Sequence, residues 1–161
     1  MIRPATASDS DAIARIYNHY VLNTAFTFEE YAVSAEQMAE RIGEVTSVSL
    51  PWLVAEQFGQ VVGYAYSTRW KTRSAYRFSV ESTVYLERSA IGQGLGSVLY
   101  EALFACLKQR GVHTVISCIA LPNPASIALH EKFGLKKVAH FEEVGFKFNE
   151  WLDVGYWQLI L

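Results

Sequence analysis

"SAIGQGLGSVLYEAL", residues Ser89–Leu103, sets glycines at 92, 94 and 96 and then runs into a helical pattern. Glycine removes the side chain that would hold another molecule away from the backbone. Successive N–H groups from Gly92 to Ser97 can then point into one concavity, and the positive dipole end of the helix beginning near Gly96 adds to it. Without a ligand, the same stretch reads as a tight strand-to-helix turn. Val98, Leu99, Ala102, Leu103, Cys106 and Leu107 follow as one apolar stripe, which predicts a helix to about Gln109, ended by Gly111. Two phosphate loops are excluded. A dinucleotide fingerprint needs G-x-G-x-x-G and an acid about 20 residues on, whereas this chain has serine at the third position and its next strand ends "CIALPN". A triphosphate loop needs Gly-Lys-Ser/Thr, which is missing.

Outward from the loop, 161 residues fit one domain with its own core. The composition is 51% hydrophobic and 14% aromatic, which excludes a disordered chain. The net charge of −2 argues against nucleic acid as a partner. No apolar run is long enough to span a membrane. The opening "MIRPATASDSDAIARIY" lacks the apolar core of a signal peptide, so the expected location is the cytoplasm. Cys106, on the apolar helix face, and Cys118, in a strand, read as small buried hydrophobes. With His19, His113, His130 and His140 they show no metal-ligand spacing, so no metal is expected.

"IRP" reads as a short strand, and Ser8–Asp11 as a cap for a helix carrying Ile13, Ile16, Tyr17, Tyr20 and Val21. Ser34 and Gln37 form a capping box for a second helix. "PWLVAEQFGQVVGYAYST" predicts two strands joined around Phe58-Gly59. Ala75–Leu86 reads as one long strand. "VHTVISCIAL" is the strand after the glycine-loop helix. Pro124 opens a further helix, and two last strands fall within residues 135–148 and 153–161. The expected fold class is a single α/β domain over residues 1–161. The unit from Tyr76 to Leu121 supplies a parallel strand pair.

The stretch "ESTVYLERSAIGQGLGSVLYEAL" resembles the coenzyme A-binding core of the GNAT N-acetyltransferase superfamily. With "FTFEE", "WKTRSAYRFSVESTVYL", "LPNPASIALHEKFG" and "GFKFNEWLDVGYWQL", it resembles the phosphinothricin and methionine sulfoximine N-acetyltransferase group along essentially the whole chain. The resemblance implies a mixed, mostly antiparallel sheet with a central parallel pair flanked by helices. It implies acetyl-CoA as cosubstrate and a homodimer with the acceptor pocket near the subunit interface. One position departs: where the superfamily usually has Gln or Arg before the glycines, this chain has Ile91. Arg88 is a candidate to compensate for the lost grip.

Acetyl transfer requires a deprotonated amine, a polarised thioester carbonyl and a place for the thiolate. An unpaired carboxylate at Glu81, between Val80 and Val84 in an apolar strand, is costly, and a solvent-facing strand glutamate is the alternative; the resemblance, which covers its E-S-T-V-Y context, makes Glu81 the candidate base. The resemblance implies that the cofactor is held by the backbone of Val84, Tyr85 and Leu86, by the loop Gly92, Gln93, Gly94, Leu95, Gly96 and Ser97, and by Asn123 and Ser126. Asn123 also reads as a helix cap. His130 stands where the superfamily often has a tyrosine acid. Arg73 and Arg77, with Tyr76, are candidates to clamp an acceptor carboxylate, and the resemblance implies that Phe28 and Glu29 close over it. The expected reaction is acetylation of the α-amine of a small amino acid or analogue; peptide N-termini, other amines and a non-catalytic coenzyme A-binding module are the alternatives.

Overall fold

Strand β2 (Trp52–Gln57) turns Trp52 and Val54 to one face and Leu53 and Ala55 to the other, and all four are buried. Apolar residues on both faces require a layer on each side. The computed structural model, which describes residues 1–161, meets that requirement with one seven-stranded sheet between helices. Helices α1 (Ser10–Asn23) and α2 (Ala35–Ser47) bury Ile13, Ile16, Val21, Met38 and Ile42 against the Trp52, Val54 and Tyr64 face. Helix α3 (Leu95–Gln109) buries Leu99, Leu103 and Leu107 against the Leu53, Ala65, Val80 and Val115 face.

The sheet order is β1-β2-β3-β4-β5-β7-β6, with β1 Ile2–Pro4, β3 Gln60–Arg69, β4 Ser79–Leu86, β5 Thr114–Ala120, β6 Lys136–Lys147 and β7 Glu150–Ile160. Every neighbouring pair is antiparallel except β4 and β5. Those two pair only over Ser79–Glu81 and Thr114–Ile116. Both strands continue past the last shared rung, so the sheet is forked there. Helix α4 (Pro124–Lys132) follows β5, beside the fork.

The local signals act as read. The Ser34 hydroxyl accepts from the Gln37 N–H at 3.2 Å and the Gln37 side chain accepts from the Ser34 N–H at 2.9 Å. Phe58 and Gly59 both take positive φ in the β2–β3 turn, as a tight hairpin requires. Two expectations are corrected. The strand read from Ala75 begins at Ser79, because residues 71–78 are exposed and include a short 3₁₀ turn at Ser74–Tyr76. Aromatic content signals a strand there, but no neighbouring strand pairs with residues 71–77. Cys118 is exposed rather than buried, because it faces the open side of the fork; Cys106 is half-buried. No helix is long and apolar enough to cross a membrane.

Candidate active site

The fork opens a cleft of about 560 Å³. β4 is paired on its other edge with β3 throughout, Leu86 opposite Gly63. Past Glu81 its β5-facing edge has no backbone partner, so N–H and C=O groups there can receive an extended ligand as an added strand would. Val84, Tyr85 and Leu86 all line the cleft. At its far end Gly92 and Gly94 take φ of 81° and 79°, a conformation that side chains disfavour. The loop therefore turns with the N–H groups of Gly92 to Gly96 unpaired to other backbone, at the positive end of α3. Gly92, Gly94, Gly96, Ser97, Asn123 and Ser126 also line the cleft. Asn123 caps α4 as well, accepting from the Ser126 N–H at 3.2 Å. Gln93 does not face the cleft: its amide donates to the Ser89 carbonyl at 2.7 Å. Leu95 packs against the α3 core.

Glu81 and His130 share the cleft. Glu81 is half-buried on β4. Burial pushes its carboxyl above the ordinary 4.5, and the positive charge of Lys71 pulls in the other direction. His130 is 4% exposed. Its Nδ1 lies 2.6 Å from the Ser126 carbonyl, which can only accept, so Nδ1 carries the proton. Nε2 then accepts from the Tyr100 hydroxyl at 2.8 Å. Burial lowers the imidazole below 6.5, which keeps the ring neutral. The unfolded chain takes up this proton near pH 6.5 and the folded chain only lower, so His130 weakens folding as pH falls through that value.

Sequence reasoning missed what lies beneath. The hydroxyls of Ser82 and Ser117 meet at 2.6 Å one residue past the last shared rung of β4 and β5. Tyr100, buried on α3, meets His130 in the same polar layer. The two strands are thus joined by side chains where their backbones part. The available signal was two serines at inward-facing positions of otherwise apolar strands.

The acceptor candidates are not gathered in one place. Phe28 lines the cleft with Phe26 and Thr27. The Glu29 carboxylate is held by Arg41 at 2.6 and 2.9 Å and by the Tyr17 hydroxyl, so it faces its own helices. Arg73 and Arg77 line a second depression with Arg69 and Lys71, outside the Glu81 cleft, and Tyr76 is exposed in the 3₁₀ turn. Tyr66, Cys118 and Val154, which the sequence did not single out, do line the Glu81 cleft.

The acetyltransferase (GNAT) domain family model matches residues 2–155. The chain belongs to the GNAT acetyltransferase family. It is 39% identical over 157 residues, 98% of this chain and 85% of the relative, to phosphinothricin N-acetyltransferase from Streptomyces viridochromogenes. It is 36% identical over 160 residues, 99% of this chain and 94% of the relative, to an L-methionine sulfoximine/L-methionine sulfone acetyltransferase from Salmonella typhimurium. The crystal structure of a phosphinothricin acetyltransferase from Sinorhizobium meliloti in complex with acetyl-CoA superposes with a TM-score of 0.97, at 37% identity, covering 100% of this chain and 88% of that one. The protein is an acetyl-CoA-dependent N-acetyltransferase. The free β4 edge and the unpaired loop N–H groups suit the two ends of that donor, one an amide-rich arm and the other a diphosphate.

Replacing Tyr100 by Phe leaves the buried His130 Nε2 without its partner inside the protein. An unsatisfied buried polar group costs about 1–3 kcal/mol. Chemical denaturation of Tyr100→Phe is expected to show a loss of that size with an unchanged m-value.

Proposed function

We propose that this acetyltransferase acetylates the α-amine of a small amino acid or close analogue, of the phosphinothricin or methionine sulfoximine type. The observation that carries this reading is Glu81, a half-buried carboxylate in the cleft that also holds the free β4 edge and the unpaired glycine-loop N–H groups. The relatives' named substrates give the acceptor class. Glu81 takes the amine proton, directly or through one water, so that the nitrogen lone pair can attack the thioester carbonyl. A backbone N–H in the Val84–Leu86 segment polarises that carbonyl. The C–S bond then breaks with its electron pair on sulfur.

His130 has both ring nitrogens engaged, one by Tyr100 and one by Ser126. Its part in this reading is to fix the Tyr100 hydroxyl and the start of α4 beside the cleft. Phe28 covers the acceptor, and Glu29 holds that loop to α1 and α2 through Tyr17 and Arg41.

Arg73 and Arg77 lie outside the Glu81 cleft of their own chain. A second copy resolves the separation if it sets its 71–78 loop against the cleft. The exposed side chains of Phe141, Val144, Phe146, Phe148 and Trp151 on the β6–β7 hairpin form an apolar face suited to such a homodimer. Exposed apolar clusters of this kind mark contact surfaces. A cytoplasmic location, where acetyl-CoA is made, completes the reading.

Thiol release from acetyl-CoA should be fastest with phosphinothricin or methionine sulfoximine in a panel of amino acids, amine-blocked analogues and peptides; a peptide as the best acceptor would overturn the assignment. Glu81→Gln is expected to bind acetyl-CoA normally and to lose at least about 100-fold in turnover. Because Glu81 acts ionised and its pKa is raised, the acid limb of kcat/KM should lie above 4.5 and vanish in the variant.

Sedimentation should report a dimer for the unchanged protein and a monomer for Trp151→Glu. The monomer should retain acetyl-CoA binding and show a raised acceptor KM.

A further inference from the structure

Residues Phe26, Thr27 and Phe28 form one wall of the Glu81 cleft. One flank of that segment is tied to α1 and α2. Arg41 and the Tyr17 hydroxyl hold Glu29, and the Thr27 hydroxyl lies 2.8 Å from that of Tyr17. These bonds leave the flank that faces the β6–β7 hairpin without an anchor of its own.

That flank meets β6. Phe148 and Asn149 both take positive φ, as a two-residue hairpin turn requires, and Lys147 pairs with Glu150 beside it. From the turn the pleat alternates: Val144, Phe146 and Phe148 are exposed, whereas Gly145 and Lys147 are buried. Gly145 leaves room for the Phe28 ring, because a Cβ at that position would collide with three of its carbons. Lys147 is 2% exposed, and its Nζ donates to the Thr27 carbonyl at 2.8 Å. A buried ammonium is costly even when bonded, and an apolar residue would brace the hairpin at less cost. Lys147 has no carboxylate partner within ion-pair distance. Its bond goes instead to the main chain of the residue before Phe28, 120 positions away in sequence.

We propose that Lys147 is a positioning residue for the acceptor: it fixes the Thr27 carbonyl while Gly145 seats the Phe28 ring, so that this wall of the cleft is preformed. Lys147 does not line the cleft and touches no reacting atom. Without its bond the Thr27–Phe28 backbone is released, and the amine must order the wall as it binds. Ordering costs free energy that a preformed wall does not. The loss therefore falls on the acceptor, because the donor's contacts lie on β4 and the glycine loop. The inference rests on the reading that Phe28 covers the acceptor.

The test compares the unchanged enzyme with Lys147→Met, Lys147→Arg and Gly145→Ala, using steady-state kinetics with phosphinothricin, isothermal titration of coenzyme A, and hydrogen exchange of the peptide spanning residues 24–31. Lys147→Met is expected to raise the acceptor KM about tenfold, the scale of one lost bond to a charged group, with kcat and coenzyme A affinity within about twofold. Exchange in residues 24–31 should quicken. Lys147→Arg keeps the charge and the donors and should recover most of the loss. Gly145→Ala should raise the same KM by displacing the ring. An acceptor KM unchanged in Lys147→Met would overturn the proposal. So would equal losses of acceptor and coenzyme A binding with a lowered melting temperature and no recovery in Lys147→Arg, since Lys147 would then only brace the hairpin. If Lys147→Met does not fold, an unchanged acceptor KM in Gly145→Ala decides against it. An unchanged acceptor KM in Phe28→Ala would instead strike the reading of Phe28 as the cover, whatever the Lys147 variants do.

Discussion

Strands β4 and β5 share three backbone rungs and then separate, and the site depends on that separation. A sheet that stayed zipped would use its N–H and C=O groups internally and offer a ligand nothing. A sheet that simply tore would leave those groups unsatisfied in the core, at a cost of about 1–3 kcal/mol each. In the fork the free edge of β4 faces the open cleft instead of the core. The hydroxyls of Ser82 and Ser117 close it with a bond to each other, and Tyr100, on α3, bonds to His130. On the open side, Glu81 and Cys118 face the cleft.

The same geometry separates the electrostatic roles. His130 lies below the fork, buried, neutral and saturated with hydrogen bonds. Glu81 lies above it, half-buried, with its carboxyl raised by burial and restrained by Lys71. A carboxyl raised above its ordinary range suits the proposed base role better than a fully solvated glutamate would. At the far end the sign reverses: unpaired N–H groups and a helix dipole form a positive terminus for the diphosphate. In the proposed reading, one cleft runs from a proton acceptor to an anion cradle, and an extended thioester donor has matching ends.

Much of this was legible because it is local. Glycine spacing, the capping pair Ser34–Gln37, the Phe58-Gly59 turn and the stripe of α3 are short-range signals, and each has its physical cause within a few residues. The long strand read from Ala75 was wrong at its start for a non-local reason: a strand needs a neighbour, and residues 71–77 pair with none. Cys118 was misplaced similarly, since alternation along β5 says which residues share a face but not that the sheet opens beside this one.

By itself the sequence determined the α/β class, the order of elements and the phosphate-type loop, which follow from periodicity and backbone permissiveness; Glu81 as the candidate base came from the resemblance of its E-S-T-V-Y context. Only the tertiary structure decided which side chains meet. Ser82 meets Ser117, and Tyr100 meets His130, only once strands and helices from distant parts of the chain are assembled. Arg73 and Arg77 sit near Glu81 in sequence yet face another depression. Lys147 meets the Thr27 carbonyl because β6 folds back against the loop after α1. Hydrogen bonds and charges act through space over a few ångströms, and spacing along the chain does not reveal distances set by packing.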